Sequence, residues 1–331
     1  MPTEDRVPAA RRSSRTRLAP PVEFAGDAVV WAAWLYYEES MTQDDIARQI
    51  GVSRASVNNL LQVARERGVV TIAVAPVHLQ MVGAARAICR RYGIADCLVV
   101  PDDDGRQPDY ERVGRAGARM LADRLAAEDV LGVSWGRTVL ALSNALAVGL
   151  LPGASVVQVT GSAMGTYRFS AELCAANIAT RLGARCIHLH APGIVSRPGV
   201  KRMLMREPAL IEQFRFINTC NRIIFGVGTV ASSSTAFDSG FLTEMEAAPY
   251  IRRGAVAVLA GRFVDRLGKP VVGELDERLL GMTLEAIRAV PDRICVAAGS
   301  IKRDCVRALL EGGFISSLVI DQPLALALLD N

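Results

Sequence analysis

Aromatic side chains are scarce in this chain, 5% of 331 residues, and no apolar run reaches the length of a membrane span. Ala28–Tyr37 runs directly into Glu38 and Glu39, and Val139–Leu151 is broken by Ser143 and Asn144. A span needs ~20 apolar residues. The first thirty residues carry Arg and Pro without an apolar stretch ahead of a cleavage site, so no secretory signal is read and a cytoplasmic protein is expected. The seven cysteines (Cys89, Cys97, Cys174, Cys186, Cys220, Cys295, Cys305) contain no CxxC pair. An odd, scattered set inside apolar runs points to reduced, buried thiols and against a disulfide framework or a structural zinc site. No Gly-Lys-Ser/Thr ending marks a P-loop, and Ser134 has no evident His–Asp partners for a hydrolase triad. No internal repeat is visible.

Half of the chain is hydrophobic and 22% is charged, with a mean hydropathy of +0.24. That supports a sizeable core and excludes a wholly disordered chain, a collagen-like fibre or a disulfide-stapled miniprotein. The length suits two domains, or a large one with a small one. The net charge of +4 says little about partners. Basic and acidic residues cancel over 1–75, whereas 48–67 is locally basic through Arg48, Arg54, Arg65 and Arg67. Any contact with DNA must come from that local face.

Three regions follow from the patterning. Residues 1–22 hold four prolines and five arginines without a hydrophobic period and read as a disordered arm. Residues 23–75 read as a small helical domain. A first helix carries Val30, Trp31, Trp34, Leu35 and Tyr37, and Glu38-Glu39-Ser40 ends it. Thr42 caps a second helix that starts with Asp44 and Asp45 in its first turn, and Gly51 turns the chain. Ser53 caps a third helix closed by Gly68, and Val69–Val74 follows as a short β run suited to a wing or to a stalk into the next domain. Residues 76–331 begin with a linking helix, 79–92, and continue as strands alternating with helices. The strands are expected at 97–100, 130–133, 156–160, 185–189, 222–227, 255–259, 294–298 and 318–320. Helices are expected at 139–148, 171–182, 241–251 and 302–311. Short strands of Val, Ile and Leu alternating with helices argue an α/β fold with a doubly wound parallel sheet.

The most specific local signal is Gln43–Gln62. A tight crossing of two helices needs a small residue at the contact, Ala47, and a glycine at the turn, Gly51. It also needs apolar residues to bury the corner: Ile46, Ile50, Val52, Val57 and Leu60. All stand at the required offsets of a helix-turn-helix. The outward positions of the third helix are then Arg54, Ala55, Asn58, Asn59 and Gln62. In a major groove Arg grips guanine, Asn and Gln pair with adenine, and Ala meets a thymine methyl. Arg48, Arg65 and Arg67 are placed for phosphate. Since the face is not strongly basic, affinity would rely on pairing two half-sites.

In the larger region Gly132-Val133-Ser134-Trp135-Gly136-Arg137-Thr138 marks a strand turning into a helix, where open α/β sheets bind ligands. Turn N–H groups, a helix N-terminus, two hydroxyls and Arg137 suit an anion, phosphate first. Thr160-Gly161-Ser162, Gly226-Val227-Gly228-Thr229 and Ala298-Gly299-Ser300-Ile301-Lys302 are similar loops expected at the same sheet edge. Lys302 is placed for a phosphate or an aldehyde. Asp265 suits either sugar hydroxyls or a turn cap, and Asp321 follows a strand toward the same edge. His188 and His190 share one strand face but lack further metal ligands, so packing or a pocket-edge hydrogen bond is expected of them.

Taken together, these segments resemble the SorC family of sugar-responsive bacterial transcription regulators, from about Phe24 to Leu329. The resemblance rests on Trp34-Leu35-Tyr36-Tyr37, Met41–Ala47, Ala64–Val70, the Trp135-Gly136-Arg137-Thr138 loop, Gly254–Val256, Gly261–Asp265, Ala298–Lys302 and Ala308–Gly313. It implies a winged helix-turn-helix followed by a sugar-binding domain related to glucosamine-6-phosphate deaminases and ribose-5-phosphate isomerases. It further implies a phosphorylated sugar or sugar alcohol as effector, operator double-stranded DNA as partner, and a dimer or tetramer. Effector contacts would fall on Ser134, Gly136, Arg137, Thr138, Gly161, Asp265 and Lys302, beside Gly226 and Gly228 of the third loop. The chain departs from the family pattern at Ala257-Val258, Ser300, Ile320-Asp321-Gln322 and Asn58-Asn59. No cofactor, metal, membrane or catalytic residue is expected. The alternative is a sugar-phosphate isomerase or deaminase with a fused DNA-binding head, for which Asp265 and Asp321 would supply acid–base groups.

Overall fold

The structure, a computed structural model, describes residues 19–71, 76–103, 105–163, 169–231 and 234–330, with backbone alone at 76–78. It divides into two compact units, Met1–Ala75 and Pro76–Asn331. Most of the expected N-terminal arm, 1–18, lies outside the described residues.

In the first unit a turn of 3-10 helix, Val22–Phe24, precedes α1 (Ala28–Tyr37), α2 (Gln43–Ile50) and α3 (Arg54–Glu66). Each α-helix starts at a side-chain cap that satisfies an otherwise free N–H. Asp27 accepts from Val29, Thr42 from Asp45 and Ser53 from Ser56. Gly51, at φ +78°, makes the left-handed turn between α2 and α3. Trp31, Leu35, Ile46, Ala47, Ile50, Val57 and Leu61 form the core between the three helices. Leu60 packs against this core as well, and Leu61 is the more deeply buried of the two. Val57, Leu61 and Ala64 recur at the α-helical period and are buried, whereas Leu60 lies on the shoulder of that stripe and is only half-buried. The β run expected at Val69–Val74 is not a strand where it is described. Val69 and Val70 form bends, the Val70 N–H donates to Ala64 O at 3.2 Å, and residues 72–75 lie outside the described residues.

The second unit runs α4 (Pro76–Tyr92), β1 (Asp96–Val100), α5 (Asp109–Ala122), β2 (Val130–Val133), α6 (Arg137–Ala145), β3 (Ser155–Gln158), α7 (Ala171–Leu182) and β4 (Arg185–Ile187). It continues with α8 (Pro198–Leu204), α9 (Pro208–Asn218), β5 (Arg222–Phe225), β6 (Gly228–Thr229), α10 (Thr235–Asp238), α11 (Glu244–Arg252), β7 (Ala255–Leu259) and β8 (Arg262–Asp265). It ends with α12 (Leu284–Ala289), β9 (Asp292–Ala297), α13 (Arg303–Glu311), β10 (Ser317–Asp321) and α14 (Gln322–Leu329).

Seven strands pair in parallel in the order β1-β10-β9-β5-β2-β3-β4. Their side chains bury on both faces, as a parallel sheet demands. Val133, Val156, Ile224 and Val296 meet Val113, Leu142 and Ile178 of α5, α6 and α7. Ile223, Phe225, Cys295 and Ile320 meet Ile88, Ile287, Leu309 and Leu324 of α4, α12, α13 and α14. The strand order turns back once. After β2 the chain adds β3 and β4 on one side, then returns to lay β5 on the other side of β2.

The expectation for residues 255–259 needs correction. They form β7 of a separate antiparallel sheet, β6-β7-β8. Ala260 and Gly261, at φ +50° and +82°, close a two-residue hairpin between β7 and β8. Positive φ at both turn positions matches the twist of antiparallel strands, so the chain folds back instead of crossing over. Behind this sheet the buried Arg262 guanidinium is held by Asp276 at 3.1 Å and by Met282 O.

The core assignment predicts that Leu61→Ala lowers the opening free energy of the α3 amides by ~2–5 kcal/mol, the usual range for a truncated buried leucine. Leu60→Ala lowers it less. Native-state hydrogen exchange of the first unit reads both.

Candidate functional site: a cavity at the sheet edge and a helix face

At the carboxyl ends of β2, β5 and β9 the connections diverge and leave a cavity of about 250 Å³. Its wall includes Ser134, Gly136, Arg137 and Thr138 after β2, Gly226 and Gly228 after β5, and Ala298 and Lys302 after β9. Val258, Ala260 and Gly261 close it from the small sheet. This is the point where the strand order turns back, and a crevice there is the usual ligand position in open α/β sheets. Gly136, at φ +135°, is the N-cap of α6, and no side chain caps that helix. The first N–H groups of α6 are therefore presented at the cavity together with the buried hydroxyls of Ser134 and Thr138.

Lys302 supplies the charge. It stands in a turn of 3-10 helix, Ser300–Lys302, just ahead of α13. Burial pushes its amine below the ordinary lysine range; the Asp321 carboxylate opposes this and Arg137 adds to it. None of the ion pairs among the described residues involves Lys302. Arg137, by contrast, is half exposed and pairs with Asp238 at 3.0 Å. The cavity thus joins a helix N-terminus, small-residue turns, hydroxyls and an unpaired amine, a donor-rich set that suits an oxyanion.

Asp321 is fully buried and holds this arrangement from behind. One carboxylate oxygen accepts from Gly299 N at 2.8 Å and the other from Leu324 N at 3.2 Å. Burial outweighs those two N–H groups and pushes its carboxyl above the usual range.

Three of the four small-residue loops meet at the cavity; Thr160-Gly161-Ser162 does not. Gly161 borders a separate small cavity with Trp135, Phe169 and Phe241. A Cβ on Gly161 would lie 2.6 Å from Pro192 O, so the glycine is required by close backbone packing. Asp265 is also absent from the cavity wall. Its Oδ1 accepts from Leu267 N and Lys269 N, so it caps the turn after β8, the second of its two sequence readings. His188 and His190 lie beyond the end of β4, and no group of metal-ligating side chains assembles among the described residues. Sequence reasoning missed Tyr110, Ser234 and Thr235, which also line the cavity. Ser234 and Thr235 stand at the start of α10, a few residues past the Gly226–Thr229 turn, and Tyr110 stands on α5; none lies within a loop that the sequence singled out.

On the first unit Arg54, Ala55, Asn58, Asn59, Gln62 and Arg65 are all exposed along α3. Several are held before any ligand arrives. Arg54 approaches Asp44 at 3.6 Å, Gln62 Nε2 donates to Glu66 at 2.9 Å, and Arg48 hydrogen-bonds Asp45. Exposed pairs of this kind contribute ~0–1 kcal/mol and exchange readily for a phosphate or a base edge.

A tight helix-turn-helix with such a face in one unit, and a donor-lined cavity at the sheet edge of the other, are the two parts of a ligand-responsive DNA-binding regulator. Comparison with known proteins agrees. Residues 79–330 match the Sugar-bind family model, a sugar-binding domain. The transcriptional regulator YjhU of Escherichia coli K12 is 33% identical over 305 residues, covering 90% of this chain and 93% of its own. The deoxyribonucleoside regulator of Bacillus subtilis is 30% identical over 308 residues, covering 91% and 96%. Full-length SorC, the sorbitol operon regulator of Klebsiella pneumoniae, superposes with a TM-score of 0.71 at 24% identity, over 91% of this chain and 98% of that one. The chain belongs to the SorC family of sugar-binding transcriptional regulators.

The depressed Lys302 amine has a pH signature. It is charged at low pH and loses its proton below the ordinary lysine value of about 10.4. Affinity for an anionic sugar should therefore fall on the alkaline side, at lower pH than an exposed lysine would allow. Quenching of Trp135 fluorescence, titrated with a sugar phosphate from pH 7 to 10, measures this. Lys302→Ala should flatten the profile.

Proposed function

We propose that this regulator binds a small phosphorylated sugar or sugar alcohol in the Lys302 cavity and that binding changes its hold on operator DNA. The reading is carried by one observation, the half-buried Lys302, whose amine enters no ion pair among the described residues, on the same wall as the uncapped start of α6. A phosphate or carboxylate placed between them relieves two unmet electrostatic demands at once. The sugar hydroxyls then meet Ser134, Thr138, Ser234 and Thr235, while Arg137 trades Asp238 for the ligand or closes over it. The relatives named for sorbitol and deoxyribonucleosides fit this chemical class.

At the DNA end, Arg54, Ala55, Asn58, Asn59 and Gln62 read base edges, and Arg48 and Arg65 contact phosphates. One head offers few cations, so two heads on paired half-sites supply the affinity; the working form is a homodimer or tetramer in the cytoplasm. The chain is not an enzyme in this reading. The two carboxylates that an isomerase or deaminase would need are committed to backbone N–H groups, Asp265 at its turn and Asp321 at Gly299 and Leu324.

A gel shift on DNA upstream of the protein's own and neighbouring genes tests this, with a panel of sugars and their phosphates. One or more phosphates should change affinity about 5–150-fold, the size of ordinary allosteric coupling, without turnover of the sugar. A panel without effect, or catalysed isomerisation without DNA binding, refutes it. Arg54→Ala should cost ~1–3 kcal/mol of specific binding while the fold persists. Lys302→Ala should leave DNA affinity unchanged without ligand and blunt the response to it.

A further inference from the structure

At the far edge of the sheet, away from the Lys302 cavity, β3 and β4 carry a second polar array. Gln158 ends β3 and is fully buried. Its Nε2 donates to Thr160 O at 2.7 Å. A backbone carbonyl only accepts, so the amide orientation is settled and Oε1 is the atom facing His188, 3.2 Å from Nδ1. Nδ1 must then carry the imidazole proton, which leaves the Nε2 lone pair free. That lone pair lies 3.4 Å from Sγ of Cys186. The sequence Cys186-Ile187-His188 places the thiol and the imidazole on one side of the chain.

The result is a thiol, a base aimed at it, and a buried amide that orients the base, the arrangement of an activated nucleophile. Glu172, in the first turn of α7, completes it. Burial would raise its carboxyl, but hydrogen bonds from Ser162 and Ser170 and the neighbouring His188 hold it below the usual range, so it stays ionised. An imidazolium formed at His188 has that carboxylate as its counter-charge. Glu172, Ser162, His188, His190 and Pro192 border an open cleft of about 480 Å³, and β4 is the outermost strand.

The other cysteines lack this environment. Cys174, Cys220, Cys295 and Cys305 are buried. Cys89 and Cys97 are half-buried like Cys186, but they neighbour the Asp96 carboxylate, which disfavours a thiolate. Burial pushes the Cys186 thiol up as well, so the sulfur rests as a thiol and its proton moves only as the sulfur attacks.

We propose that Cys186, with His188 as its general base, is a modification site for small carbon electrophiles of the α,β-unsaturated carbonyl class. The sulfur bonds the β-carbon while its proton passes to His188 Nε2. The electron pair of the C=C bond moves to the α-carbon, which takes that proton back. The product is a thioether, and no oxidant or reductant is consumed.

The experiment is a time course of the intact folded protein with limiting N-ethylmaleimide, each cysteine read by peptide mass spectrometry. Cys186 should label at least ~100-fold faster than Cys89 and Cys97, the low end of what a positioned general base contributes. Cys186→Ser should remove the fast phase. His188→Gln, which cannot take the proton, should slow Cys186 by a similar factor while Cys89 and Cys97 keep their rates, which also reports that the variant is folded. A wild-type Cys186 no faster than Cys89 or Cys97 overturns the proposal, whatever the variants do. So does a folded His188→Gln protein that labels Cys186 at the wild-type rate.

Discussion

The sugar-binding unit depends on one topological constraint, the reversal of strand order at β2. Right-handed crossovers send the chain over one face of the sheet while it adds β3 and β4, and over the other once β5 is laid down. The connections leaving β2 and β5 therefore part instead of packing together. A gap opens at the carboxyl ends of adjacent strands, and main-chain N–H groups and small turns line it. The hairpin of β7 and β8 roofs that gap with small residues, Ala260 and Gly261, which leave room for a ligand.

Into this gap the fold places an amine that it does not neutralise. Lys302 is half-buried and enters no ion pair among the described residues, and desolvation of its amine pushes it below the ordinary lysine range. Asp321 lies close enough to oppose that shift, yet both of its oxygens are taken by N–H groups that fix the Gly299 turn and the start of α14. Its role is to present Lys302 rather than to pair with it. A site with an unmet positive charge gains more from an anionic ligand than a compensated one does, and this differential gain is what a sensor needs to bias one state over another.

Much of this was legible in the sequence. Thr42, Ser53 and Gly51 announce helix starts and a left-handed turn through local hydrogen bonding and sterics, and α2 begins and ends, and α3 begins, where those residues place them. Trp135-Gly136-Arg137-Thr138 and Ala298–Lys302 stand at strand ends because glycine and hydroxyl residues punctuate apolar runs. The errors share a cause. Leu60 and Leu61 are equally apolar and both pack against the core, but the stripe of Val57 and Ala64 runs through Leu61, which is the more deeply buried. Residues 255–259 are as β-branched and apolar as a parallel strand, so their antiparallel pairing turned on two backbone angles at Ala260 and Gly261. Gly161 looked like a ligand loop because a glycine needed for close packing and one needed for a ligand are the same residue.

The linear order of residues determined by itself where most helices and strands begin, since caps, turns and periodicity act over a few residues, and its longer segments carried the resemblance to sugar-responsive regulators. Tertiary structure alone decided which positions meet. Lys302 faces α6 across more than 160 residues of chain, and Gln158 orients His188 across 30, because strand neighbours in a parallel sheet are set by crossover connections and not by sequence distance.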